Sequence, residues 1–193
     1  MKQLTVTNQR VEQTVELVLA EHGGGTPFFD ALDASLRRPP FMDLLLDQFA
    51  DRFSPDFDIV VSGKFGVAFC QYLAGAGRER LQRQLGGKMP LLVPGGLRHA
   101  VSLPLQYARE RIEGRLFVFL DDSLYKARTR DLIRREMRKV GGQLIHELVL
   151  YDGSALRYDD VTSFYRYFDR HPQNSPLLQT QTTLMQQAQV SRD

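Results

Sequence analysis

The stretch from residue 116 to 129 places two adjacent acids directly after an apolar run. It reads LFVFLDDSLYKART, in which residues 116–120 are apolar and Asp121 and Asp122 follow. A continuous run of Val, Phe and Leu is typical of a strand that is buried on both faces of a parallel sheet. Ligands of open α/β sheets bind beyond the carboxyl ends of the strands. Two acids there suit hydrogen bonds to sugar hydroxyls or a hard cation held through water; a capped turn with solvated basic neighbours is the alternative.

Strand and helix patterns alternate around this stretch, which predicts an α/β fold with a mostly parallel sheet flanked by helices. The predicted strands are 57–61, 89–93, 116–120 and 143–151, and the predicted helices are 9–21, 39–53, 67–85, 130–140 and 160–168. A tight loop is expected at 62–66 and an irregular stretch at 94–114. Right-handed crossovers would bring the loops at Gly63, Pro94 and Asp121 to one edge of the sheet.

Composition divides the chain into three predicted parts. Residues 1–25 form an N-terminal helix and a Gly joint, because Gly23 to Gly25 end the helical pattern. Residues 26–171 form the α/β domain, and residues 172–193, rich in Gln, Thr and Ser, form a polar C-terminal tail without a core of its own.

Charge and residue types argue against several classes of protein. The formal net charge of +2 is too small to indicate nucleic acid binding. The basic residues of 128–139 lie on a helix with an apolar face, so a solvated surface is the preferred interpretation. No apolar run approaches the roughly 20 residues of a membrane helix, and no signal-peptide core opens the chain. With one cysteine, Cys70, and four scattered histidines, we expect no internal disulfide, no metal site and a cytoplasmic location.

The acidic stretch resembles the PRPP-binding motif of the type I phosphoribosyltransferases, which has apolar residues, two acids and then a small phosphate loop ending in Thr. The acids and Thr129 match, whereas Ala127 and Arg128 stand where the family has glycines. The resemblance implies that Asp121 and Asp122 hold the ribose hydroxyls of PRPP. It implies further that residues Lys126, Ala127, Arg128 and Thr129 hold the 5′-phosphate.

Three further segments are similar to the orotate phosphoribosyltransferases. Ser62–Gly66 (SGKFG) stands where that group has its pyrophosphate loop, which gives Lys64 the role of neutralising pyrophosphate. Thr26–Asp30 resembles the segment whose aromatic pair lies over the base, which implies base stacking by Phe28 or Phe29; on the residues alone, both suit the core. The third similarity is to the mobile catalytic loop of that group, and it is limited to Arg98 and His99. The family's Arg-Lys pair in this loop is replaced by Pro94-Gly95.

Two functions remain open at this point. The first is an enzyme that transfers 5-phosphoribosyl from PRPP to a nitrogen base such as orotate, with Mg²⁺ on the pyrophosphate. The second is the same fold without catalysis, serving as a binding, regulatory or structural assembly protein. The absence of the phosphate loop's glycines and of the catalytic loop's Arg-Lys pair favours this second function. Under either function we expect a homodimer or a larger assembly.

Overall fold

A parallel sheet forms the centre of the molecule. Its strands are β1 Asp58–Ser62, β2 Leu91–Val93, β3 Leu116–Leu124, β4 Gln143–Asp152 and β5 Val161–Arg166. They lie in the order β2-β1-β3-β4-β5, and every neighbouring pair is parallel. The predicted α/β class is therefore confirmed. The computed structural model describes residues 2–23, 26–53, 56–94, 104–106, 108–125 and 127–174, with side chains from residue 9 onward.

Helices lie on both faces of this sheet. They are α1 Lys2–His22, α2 Thr26–Leu36, α3 Pro39–Arg52, α4 Gly63–Ala74, α5 Arg78–Leu85, α6 Arg109–Ile112, α7 Arg128–Lys139 and α8 Tyr167–Arg170. The paired prolines start α3, where a missing backbone N–H costs nothing because the first turn has no acceptor for it. Among the described helices, none has the length and apolar character needed to cross a membrane.

The middle of β3 is buried from both sides, as its apolar run predicts. Val118 and Leu120 join the core that α1 to α4 build on one face. Phe117 and Phe119 join a second core, to which α6 and α7 contribute Ile112, Ile133 and Met137. Alternate side chains of a strand point to opposite faces, so an uninterrupted apolar run is what a central strand requires.

The N-terminal helix packs against the main core. Val11 and Val15 of α1 are fully buried there. The Tyr165 hydroxyl of β5 donates to Glu16 at 2.7 Å, and Arg170 forks onto Glu12 at 2.6 and 2.9 Å. These contacts tie α1 to the β5 edge of the sheet.

Three predicted boundaries around the acids are wrong. β3 continues to Leu124, so Asp121 and Asp122 lie within the strand, because pairing of residues 121–124 with β4 extends it. The loop at 62–66 is absent, since α4 begins at Gly63, whose φ of +60° makes the sharp turn out of β1. The helix predicted over 67–85 breaks between α4 and α5 at Gly75 to Gly77, where glycine lowers helical stability.

Two further predictions, for segments away from Asp121 and Asp122, are wrong. The segment predicted to be a helix over 160–168 instead forms β5, followed by the one-turn α8. Its β-branched and aromatic residues suit a strand, and pairing with β4 stabilises that conformation. The stretch 94–114, predicted to be irregular, contains α6. Residues 175–193 of the predicted tail lie outside the described part of the chain.

Candidate functional site

The carboxyl ends of β1, β2 and β3 meet at one edge of the sheet. Val61 of β1 is level with Leu120 of β3, and β2 is in register with the last three residues of β1. Asp121 and Asp122 therefore stand beside the point where β1 passes into α4. Lys64, in the first turn of α4, is exposed at the same edge.

Asp122 is a buried carboxyl paired with the arginine that directly follows α2. Only 7% of its surface is exposed, and its Oδ2 lies 3.2 Å from Nε of Arg37. Burial raises the pKa of Asp122 to about 6, with a smaller contribution from the negative charge of Asp33, and the Arg37 guanidinium only partly offsets this. Loss of water at the carboxylate is therefore the larger effect, and the ion pair the smaller one.

A second set of contacts joins α2 to the end of β3. The Ser123 hydroxyl donates to Oδ1 of Asp33 at 3.0 Å, and the Tyr125 hydroxyl reaches the same atom at 3.5 Å. Burial raises the pKa of Asp33, whereas these two hydrogen bonds and Arg37 lower it. Asp33, Arg37, Ser123 and Tyr125 escaped the sequence reasoning, because only the fold brings residues of α2 to the acidic strand.

Asp121 occupies a different electrostatic setting from its neighbour. The backbone N–H of Asp122 donates to its Oδ1 at 3.0 Å. Burial raises the pKa of Asp121 well above its ordinary value, and the negative charges of Asp122 and Glu147 raise it further. A carboxyl in such surroundings binds a proton more readily than an exposed one, and in its protonated form it can donate a hydrogen bond as well as accept one.

Glu147 of β4 and Arg130 of α7 form a buried pair on the same face of the sheet as Asp121. Arg130 is 4% exposed and Glu147 1%, and Nη1 of Arg130 lies 3.9 Å from Oε2 of Glu147, which has no hydrogen-bond partner among the described residues. Arg130 also pairs with Asp131 and Asp160, at 3.0 and 3.3 Å. Burial raises the pKa of Glu147 to about 8, against the lowering effect of Arg130. No sequence pattern predicts this pair, because the two residues belong to different elements.

The start of α7 keeps a glycine-like backbone without a glycine. Ala127 has φ 52° and ψ 6°. Among the described residues, it is the one residue besides the glycines that has a positive φ. Its side chain is buried against Leu124 and Val149. Arg128, which is exposed, and Thr129, which is half-buried, follow in the first turn of the helix. The amides of such a turn have no partner within the helix and favour an anion.

The two candidate base-stacking aromatics differ in exposure. Phe28 is buried in the main core, with its ring 6.1 Å from that of Tyr151. Phe29 is exposed and meets the Tyr125 ring edge to face at 4.7 Å. Phe29 is therefore the one with an accessible face, and Tyr125 places it beside the contacts between α2 and β3.

Part of the predicted site lies outside the described residues. Arg98, His99 and Lys126 belong to that part. At the exposed start of α4, an open cavity of about 640 Å³ is lined by Gly63, Lys64, Val67, Ala68, Gln71 and Pro94. Lys64 is the charged residue of this largely apolar surface.

Comparisons with known proteins give structural matches and no sequence match. No protein-family model matches the chain, and no curated protein matches it. Among solved structures, a phosphoribosyltransferase from Corynebacterium diphtheriae matches with TM-score 0.45 at 10% identity, covering 84% of this chain and 96% of that one. The orotate phosphoribosyltransferase of Mycobacterium tuberculosis in complex with PRPP matches with TM-score 0.45 at 14% identity, over 82% and 90%. An adenine phosphoribosyltransferase from Rhodothermus marinus matches with TM-score 0.41 at 16% identity, over 68% and 82%.

A magnesium ion would find few protein ligands at this edge. In the described ranges, no three His, Cys, Asp or Glu side chains are grouped to hold a metal. Asp122 is paired with Arg37, and the raised pKa of Asp121 disfavours the carboxylate that Mg²⁺ prefers. The described residues at this edge therefore do not form a metal cage of their own.

Proposed function

We propose that this protein is phosphoribosyltransferase-like and binds PRPP at the carboxyl edge of β1 and β3. The observation that supports the proposal is the meeting, at one edge of a parallel sheet, of two acids, the first turn of α4 with Lys64, and the first turn of α7. Open α/β sheets bind ligands at this edge. The finer proposal is transfer of the 5-phosphoribosyl group to a nitrogen base such as orotate.

Each part of PRPP has a proposed partner. Asp121 and Asp122 accept hydrogen bonds from the ribose hydroxyls. The amides of the first turn of α7, together with Arg128 and Thr129, hold the 5′-phosphate, because the left-handed turn at Ala127 directs the chain into the helix there. Lys64 neutralises pyrophosphate as a point charge, and Mg²⁺ would supply further positive charge to the pyrophosphate. The transferred group passes through a positively charged centre, so positioning and charge carry the reaction.

Further roles in the proposal come from the resemblance. Phe29 is the proposed stacking surface for the base, with Phe28 behind it in the core. Lys126 adds to the 5′-phosphate contacts, and Arg98 and His99 belong to the segment that closes over the reacting groups.

A second candidate is favoured by the contact between α2 and β3. Arg37 occupies one oxygen of Asp122, and Ser123 is engaged with Asp33, so the chain satisfies groups that PRPP would need. A ribose must displace Arg37 or bind through the remaining oxygen. The second candidate is therefore the same fold without catalysis, acting as a binding, regulatory or structural assembly protein whose acids hold α2 in place.

Calorimetric titration with PRPP, with Mg²⁺ and then with a chelator, separates the two candidates. The wild type should bind PRPP, and the double variant Asp121→Asn/Asp122→Asn should bind at least about ten- to a hundredfold more weakly, because loss of even one hydrogen bond to a charged group costs about 1.5–3 kcal/mol. The control variant Asp51→Asn/Asp159→Asn changes the net charge equally at exposed positions and should bind like the wild type.

The outcomes are distinct. A wild type that binds no PRPP at millimolar concentration removes the transferase and leaves the second candidate, whose assembly state sedimentation then measures. Equal weakening in the site variant and in the control would show that the acids do not contact PRPP. If PRPP binds, pyrophosphate release with orotate, adenine or hypoxanthine identifies the base.

A further inference from the structure

A second cavity lies at the opposite edge of the sheet from the acids. Its volume is about 610 Å³, within the range of about 300–1,000 Å³ typical of small-molecule sites. It opens where β1, β2 and β3 begin, and the end of α5 and the one-turn α6 form its sides. Neither the acids nor the first turns of α4 and α7 contribute to it.

We call this the amino-edge cavity, because it lies where the strands begin. Its floor is apolar. Leu91 and Phe117, which belong to the second core, line it together, and Ile59 of the main core lines it from the other face of the sheet. All three lie near the beginnings of adjacent strands and are largely buried. Leu85 is partly buried at the side, and Met89 is exposed at the mouth. Aromatic and aliphatic groups of this kind bind the apolar body of a ligand, which leaves water on entering the cavity.

The rim of the cavity carries more positive than negative charge. Arg83, Lys88, Arg111 and Arg115 line it, against the acids Asp58 and Glu110. Asp58 forms ion pairs with two of these cations: its Oδ2 lies 2.5 Å from Nη1 of Arg115, and its Oδ1 lies 3.5 Å from Nζ of Lys88. Arg83 pairs with Glu79 outside the cavity, at 4.0 Å, so the remaining positive charge of the rim comes from the two cations that share Asp58 and from Arg111.

Arg111 is the cation with the least compensation. Its hydrogen bond is to the backbone carbonyl of Met89, at 3.4 Å, and in the described ranges no carboxylate lies within ion-pairing distance of it. A carbonyl orients a guanidinium without neutralising it. The exposed fork thus stands at the mouth of the cavity with donors available for carboxylate or phosphate oxygens.

We propose that the amino-edge cavity binds a small amphipathic anion: an aromatic or aliphatic body that rests on Leu91 and Phe117 and reaches the edge of Ile59, with one carboxylate or phosphate held by Arg111 and its basic neighbours. This site is separate from the proposed PRPP site, because the two lie at opposite ends of the strands. The inference therefore stands whether or not the chain binds PRPP.

Methyl-detected NMR titration with four probes tests the site. Phenyl phosphate and benzoate carry both an aromatic body and an anion, whereas benzyl alcohol lacks the anion and inorganic phosphate lacks the body. The first two should shift the methyl signals of Ile59 and Met89 saturably in the millimolar range expected of ligands this small, and the last two should bind more weakly. Whichever of phenyl phosphate and benzoate binds more tightly identifies the anionic group. Val67, at the other edge, and Ile133, in the core, are the reference methyls.

Arg111→Gln is the matched test of the charge. It should weaken the better anionic probe about fivefold and leave benzyl alcohol unchanged, whereas Arg138→Gln, on the exposed surface of α7, should change neither. Shifts at Ile59 and Met89 that do not saturate, equal affinity for benzyl alcohol and both anions, or equal weakening by the two arginine variants would each overturn the proposal.

Discussion

Replacing Asp122 with Asn should stabilise the protein at alkaline pH. The folded state raises the pKa of Asp122 from 3.8 to about 6, chiefly by burial. A raised carboxyl pKa means that folding favours the protonated form. Its contribution to stability is therefore fully present below pH 3.8 and is lost as the pH rises through 6. Above that pH the ionised carboxyl makes the folded state less stable than a neutral group of the same shape would.

The size of the effect follows from the same pKa values. One pKa unit corresponds to 1.36 kcal/mol, so the change from 3.8 to about 6 amounts to about 3 kcal/mol when the group is fully ionised. Asp122→Asn should raise the free energy of unfolding at pH 8 by up to this amount. For a chain of this size, that is a rise in Tm of about 6–12 °C. At pH 3.5 the two proteins should be nearly equal in stability.

Urea unfolding of the wild type and Asp122→Asn from pH 3.5 to pH 8 measures this difference directly. Asp51→Asn, an exposed change on α3, is the control and should follow the wild type at every pH. A variant that is less stable than the wild type at pH 8 would contradict the reasoning. In that case the 3.2 Å ion pair with Arg37 would contribute more than the burial of the carboxylate costs.

Three further predictions concern stability at other positions. Glu147→Gln should gain stability over the wild type as the pH rises from 4.5 to about 8 and then level off, because over that range the unfolded wild type loses the carboxyl proton that the folded state keeps; urea unfolding from pH 4 to 9 measures the gain. Ala127→Gly should change the unfolding free energy by less than about 1 kcal/mol, since relief of the left-handed backbone offsets loss of a buried methyl, whereas Ala127→Val should be clearly destabilising. Gly142→Ala should lower the unfolding free energy by about 1–3 kcal/mol, because the new Cβ would stand 3.1 Å from the carbonyl oxygen of Ile112 and closer still to its side chain; thermal unfolding measures the loss.

The sheet was predictable because its central strands are marked by residue type alone. The runs that became β1, β3 and β4 are apolar on both faces, which few other structures require. β5 was missed because only one of its residues is buried, so its pattern resembles a surface helix until β4 supplies the pairing. The end of β3 was missed for a related reason, since hydrogen bonds to a neighbour carry a strand past its apolar residues.

The sequence could predict the shared edge of the site but not the state of its acids. Parallel connections require Lys64 and Asp121 to lie at one edge, whatever the side chains do. The burial of Asp122 and its pairing with Arg37 depend on how α2 docks on the sheet, and no local pattern encodes that. The buried Arg130 and Glu147 are hidden in sequence because basic and acidic residues on helices and strands are usually solvated.

The contact between α2 and β3 also sets an order of events in folding. Ser123 and Asp33 are 90 residues apart in the chain, so their hydrogen bond closes a long loop that is entropically unfavourable to form early. During synthesis, α1 to α3 emerge well before β3 exists, and they must wait for it with their apolar faces uncovered. The electrostatic surroundings of Asp122 therefore arise only when α2 docks on the sheet. An intermediate with the sheet formed and α2 undocked would expose both acids to water and shift the pKa of Asp122 back toward its ordinary value.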